Sequence, residues 1–209
     1  SPLPTGRGVV DTSASPYARL RPVPVSAVQL HAGFWRPRLD ANARAGIPQM
    51  YQLLEEHGVV DNFRRIYGAK DVPRRGLLFT DSDLYKWMEA ASFALQSGED
   101  ARLQEVLDGA IEAILPAQRA DGYLNTYFVD ERYHERYTRF ATDHELYCAG
   151  HLFQAAIAHH RATGSTRLLA CALRFADHLC EVLPTIPGAF AGHPEIEMAL
   201  VELFRETGQ

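Results

Sequence analysis

The stretch from Asp143 to Thr163 constrains this 209-residue chain more than any other part. Read as a helix, Leu146, Tyr147, Cys148, Ala149, Leu152, Phe153, Ala155, Ala156, Ile157 and Ala158 leave almost no polar face. A helix that is apolar nearly all round must be covered on both sides. It belongs inside a helical assembly, with neighbours left and right.

The rest of the chain supplies such neighbours. Residues 37–57 predict a helix stopped by Gly58, and 59–80 read as loop around Pro73-Arg74-Arg75-Gly76. Asp81 and Ser82 are candidate caps for a helix running to Gly98, and Asp100 for the next, to about Gln118. Asp143 is the candidate cap of the apolar helix, which Gly164 stops. Further helices span about 166–183 and 194–208, the latter opened by Pro194. Thr163-Gly164 and Thr207-Gly208 lie 44 residues apart, about one helix hairpin per period. That repetition suggests an α-solenoid or a closed α/α barrel. The fold class is all-α. Residues 1–24 are Pro- and Ser-rich and read as an irregular arm. Val23 to Leu30 reads as a short strand, and Phe34-Trp35 as a hydrophobic plug against the first helix.

Composition removes several classes. Apolar residues are 46% and charged residues 22%, too apolar for a disordered chain. The net charge of −5, with no Lys/Arg run beyond two, disfavours a nucleic-acid partner. No uncharged apolar stretch is long enough to span a membrane. Three cysteines are too few for a disulfide framework and favour a reducing, cytoplasmic setting, while the Ser1 start also suits a processed secreted form.

Four polar clusters are candidates for chemistry. In Asp143-His144-Glu145-Leu146-Tyr147-Cys148-Ala149-Gly150-His151, helical spacing puts His144, Cys148 and His151 on one stripe, able to bind zinc, activate a thiolate or simply pack. Glu145 points to another side. In Gly192-His193-Pro194-Glu195-Ile196-Glu197, His193 is a poor cap and suggests another duty, whereas Glu195 and Glu197 suit a solvated first turn. In Asp121-Gly122-Tyr123-Leu124-Asn125-Thr126-Tyr127-Phe128, aromatic faces beside amides suit a sugar or a core turn. Asp81-Ser82-Asp83 is explained by capping, though Asp83 could face the same opening. No phosphate-cradling glycine loop, Gly-x-Ser-x-Gly elbow, His-Glu-x-x-His or Cys-x-x-Cys is present.

Together with Val28-Gln29-Leu30, Gly33-Phe34-Trp35 and Asp81 through Ala90, these clusters resemble glycoside hydrolase family 127, the β-L-arabinofuranosidase group. The resemblance runs in order from about residue 25 to the end. It implies that residues 25–209 form the N-terminal half of an (α/α)6 barrel of twelve helices. It implies a retaining mechanism with a cysteine nucleophile, a glutamate acid and, in a full-length relative, a zinc ion. In the family those groups lie beyond the region matched here, so no catalytic residue, no metal site and no cofactor is assigned to this chain. The His144, Cys148 and His151 stripe then reads as a sugar-contacting and packing face. His144 and His193 match sugar-binding histidines, with Asp83, Tyr123, Glu145 and His151 as further cleft residues. The implied partner is an arabinose-containing glycoside or another small carbohydrate, with self-association through an exposed barrel face. The competing expectations are a non-catalytic helical-repeat module that binds a carbohydrate or protein, and a metal-binding protein built on the His144 stripe.

Overall fold

The computed structural model describes Val10 and residues 12–209. Among these the chain is all-helical, without a strand. The expected arm of residues 1–24 therefore falls partly outside the described residues. Val23 to Leu30 is not a strand: it holds one 3-10 turn, Val25–Ala27, packed on a later helix.

The first long helix is Trp35 to Glu56 in three parts: α1 (Trp35–Ala41), a π segment (Asn42–Gly46) and α2 (Ile47–Glu56). Pro48 accounts for the wide turn. It has no N–H to give the Arg44 carbonyl, and its ring would clash with that carbonyl in a regular α-helix. The Ile47 N–H instead donates to Asn42 O. Gly58, at φ 74, ends the helix and opens α3 (Val59–Arg64). This short helix lies where a loop was expected. Its Val59, Val60 and Phe63 are buried, a signal too short to show helical period.

The main body is α4 (Asp81–Ser97), α5 (Ala101–Ile114), α6 (Glu145–Thr163), α7 (Arg167–Val182) and α8 (Glu195–Thr207). Helices α4, α6 and α8 pack side by side, with α6 in the middle. Behind them α5 covers α4 and α7 covers α6. The two layers explain the apolar circumference of α6: Leu146, Leu152, Phe153, Ala156 and Ile157 are all buried. At roughly 2 kcal/mol for each large buried side chain, this face is a major stabilising surface.

Capping follows the sequence in one place and departs from it in two. Asp100 accepts from the Leu103 N–H at 3.0 Å, as a cap should. Asp81 and Ser82 lie inside α4, whose start has no side-chain cap. Asp143 is not the cap of α6 either. His144 occupies that position at φ 58, and the Asp143 carboxylate instead takes Arg139 Nε at 3.0 Å.

Several large apolar side chains remain uncovered. Phe34 and Trp35 are 62% and 65% exposed, so they form no plug; they meet each other edge to face, with Arg38 over the Phe34 ring. On α8, Met198, Val201 and Phe204 form an exposed stripe. Among the described residues no helix is long and apolar enough to cross a membrane.

Candidate functional site

The N-terminal ends of α4, α6 and α8 lie together. Phe79, just before α4, meets the His144 ring at 5.3 Å, and Lys86 of α4 sits 5.0 Å over Tyr147 of α6. Tyr147 is the centre of the group. Its ring meets His144 at 5.6 Å, His151 at 4.5 Å and His193 at 4.7 Å, all steeply inclined edge contacts. Tyr147 lies three residues after His144 and four before His151, the spacing at which helical side chains touch. His144, His193, Tyr147 and Phe140 line one small depression of about 10 Å³. In the sequence Tyr147 reads as part of the packing face, and only its spacing to His144 and His151 signals this contact.

Two glycines permit this approach. A Cβ on Gly150 would lie 3.0 Å from the Ile196 N and 3.1 Å from the Glu195 carbonyl carbon, so α8 begins directly on α6. Gly192 presses on the Phe140 carbonyl oxygen and seats the loop that carries His193.

His151 does not share a site with His144 and Cys148. It faces Glu195, with Nδ1 3.4 Å from Oε1, in a hollow of about 580 Å³ that also takes in Glu89, Gln154 and Met198. Burial, then Lys86 and His193, push the His151 pKa down to about 4, and burial pushes the Glu195 carboxyl up. The contact has ion-pair distance, but both shifts favour the neutral forms. We therefore read it as a neutral imidazole beside a carboxyl reluctant to ionise. The Glu195 side chain is only 10% exposed, so it is not the solvated first-turn carboxylate expected; Glu197 is exposed as expected.

Cys148 turns the other way, into the α4 interface, with Sγ 3.6 Å from Phe79 O and its thiol pKa pushed well up by burial. Among the described residues no three His, Cys, Asp or Glu side chains could together hold a metal ion. The zinc reading of the His144 stripe fails geometrically. The left-handed His144 is off the helix, and Cys148 and His151 have different neighbours. Cys171 is buried on α7, its thiol pushed up to about 12, and Cys180 is exposed. These donors do not fit a zinc ion.

Asp83 is exposed, 3.7 Å from Lys86, and lines a separate groove of about 1180 Å³ with Ile47, Met50 and Trp87. Lys86 lines that groove and also sits over Tyr147 of the histidine group.

Tyr123 and Glu145, expected at a cleft, are instead interior. The Tyr123 hydroxyl donates to Glu145 Oε1 at 2.6 Å and the Tyr137 N–H to Oε2 at 2.7 Å. Tyr123 and Phe128 are fully buried, so the aromatic loop is a core turn. Glu145 ties that loop to the first turn of α6, beside His144. Burial raises its pKa from 4.5 to about 7, against the pull of both donors. A raised native pKa gives stability that is complete below 4.5 and lost as pH rises through 7. His151, lowered from 6.5 to about 4, works in the opposite sense: its contribution is present above 6.5 and lost as pH falls through 4. Glu145→Gln should therefore lose relative stability as pH falls from 7 to 4.5. Urea midpoints of both proteins across that range check this; a constant difference would refute it.

Comparison with known proteins follows this geometry. A family model for the β-L-arabinofuranosidase GH127 catalytic domain matches residues 27–209. The chain is 31% identical over 208 residues to a non-reducing end β-L-arabinofuranosidase of Bifidobacterium longum subsp. longum, covering 87% of this chain and 32% of that protein. The structure of a GH127 β-L-arabinofuranosidase from Geobacillus stearothermophilus T6 superposes with a TM-score of 0.83 at 36% identity, over 87% of this chain and 30% of the other. A second GH127 β-arabinofuranosidase structure gives 0.82 at 34% identity, over 90% and 32%. The chain spans about a third of the length of these relatives.

Proposed function

The chain belongs to the GH127 β-L-arabinofuranosidase catalytic-domain family, and from that premise we propose that it supplies a sugar-binding wall of a retaining β-L-arabinofuranosidase-like glycoside hydrolase. Residues 25–209 would be the N-terminal half of the (α/α)6 barrel, and residues 1–24 an arm outside it. The observation that carries this reading is the meeting of His144 and His193, 49 positions apart, in one depression around Tyr147. Imidazole nitrogens and an aromatic ring suit the hydroxyls and C–H face of a furanose. His144 and His193 would hydrogen-bond the sugar, and Tyr147 would hold their rings. The glycosyl transfer itself would use groups beyond the motifs matched here.

Titration with methyl β-L-arabinofuranoside tests the binding role. His144→Ala and His193→Ala should each weaken it by about tenfold, the loss of one hydrogen bond of roughly 1.4 kcal/mol. No change in either variant would remove the sugar site. The 209-residue chain should not turn over an aryl β-L-arabinofuranoside, whereas a chain of its relatives' full length should. The exposed Met198, Val201 and Phe204 stripe favours a second use, self-association or a protein partner for a non-catalytic module. A concentration-independent monomer in sedimentation would remove self-association.

A further inference from the structure

His144 and His193 are held by opposite kinds of backbone group. Nδ1 of His144 lies 2.6 Å from the Thr142 carbonyl oxygen. A carbonyl oxygen only accepts, so in the neutral ring Nδ1 carries the hydrogen and Nε2 keeps a lone pair. Nδ1 of His193 lies 3.2 Å from the Glu195 backbone N–H. An amide N–H only donates, so here Nδ1 is the bare nitrogen and Nε2 carries the hydrogen.

Both settings are built into the fold. His144 sits at φ 58 immediately before α6, one of three non-glycine positive-φ residues in the described chain, and its ring returns to the carbonyl two residues back. Such a conformation persists only where surrounding contacts require it. The Glu195 amide opens α8, whose seat on α6 depends on Gly150. The Tyr147 ring packs against both imidazoles in T-shaped contacts.

We infer that the two histidines are locked in opposite tautomers, so that the depression presents one acceptor, His144 Nε2, and one donor, His193 Nε2–H, to its ligand. The inference rests on the sugar-binding reading and narrows it. A hydroxyl would donate to His144 Nε2, and a hydroxyl oxygen would accept from His193 Nε2. A neutral polyol satisfies both. A carboxylate or phosphate oxygen would meet a lone pair at His144, and an ether oxygen could serve only His193.

Long-range proton–nitrogen correlation spectra of the 15N-labelled chain, at a pH where imidazole is neutral, read each tautomer directly. Sequential assignment identifies the rings without variants. His144 should show a protonated Nδ1 and a bare Nε2, and His193 the reverse. The same tautomer in both, or averaged signals in either, would overturn the inference and leave the sugar site standing. Methyl β-L-arabinofuranoside should then shift the Nε2 signals of both rings, while acetate should not shift that of His144. Opposite tautomers with no response to the glycoside would overturn the sugar reading and leave the tautomer assignment standing. A His144 response to acetate would overturn the selectivity alone.

Discussion

Gly192→Ala is expected to unseat the loop that carries His193. The added Cβ would overlap the Phe140 carbonyl oxygen, lie 2.8 Å from its carbon and 3.2 Å from Ala141 Cα. All three are backbone atoms, so no side chain can swing aside. Overpacking of this kind costs about 3 kcal/mol, which for a chain of this size lowers Tm by about 10 °C. The cost does not stay local. Phe140 and His193 share the depression with Tyr147, so the Tyr147–His193 contact should open and glycoside binding should fall with stability. Gly109→Ala is the matching control: Gly109 lies inside α5 with nothing within 4 Å of an added Cβ. There alanine should be neutral or stabilise by about 0.5–1 kcal/mol. Equal melting temperatures for the Gly192 variant and the parent would refute the steric argument.

Asp81→Ala should cost about as much, through a different mechanism. The Asp81 carboxylate is fully buried at the start of α4 and takes two donors from one residue, the Thr126 N–H at 2.6 Å and the Thr126 hydroxyl. Arg74 Nη2 stands 4.0 Å away; the guanidinium is itself anchored, Nη1 to the Gly76 carbonyl and Nη2 to the Leu77 carbonyl. Burial raises the Asp81 pKa and lowers that of Arg74, so each ion pays for its desolvation and the pair as such contributes little. Removing one member is a different matter. It leaves the buried Thr126 amide without its acceptor and the Arg74 guanidinium without its counter-charge, for about 3–5 kcal/mol. Asp81→Asn should be milder, since its amide oxygen can still take the Thr126 N–H. Hydrogen exchange separates this from general unfolding: Thr126 and its neighbours in the 121–128 loop should exchange fastest in the variants, ahead of α6. Uniform acceleration across both segments would count against a local tether.

Asp81 also shows where reading the sequence stops. An aspartate before an apolar helical run looks like a cap whether or not it is one, and Asp81, Asp100 and Asp143 look alike. Only Asp100 accepts from its own helix. The other two are taken by Thr126, 45 positions away, and by Arg139. Cys148 and His151 share a stripe in sequence, yet one faces α4 and the other α8. The departure of His144 into the left-handed region shifts it off the helix, which no spacing rule anticipates. Glu195 was masked because a carboxylate in a first turn needs no partner to be favourable.

What the sequence alone determined is local or additive. Gly58, Gly164 and Gly208 all end helices at positive φ, as a residue without Cβ can. The burial of α6 followed from the count of its apolar side chains, because burying them is favourable whatever covers them. The tertiary structure decided which polar atoms meet: Glu145 with Tyr123, Asp81 with Thr126, His193 with Tyr147. Hydrogen bonds and ring contacts depend on ångström distances between segments far apart in the chain, and those distances exist only once helices and loops have packed.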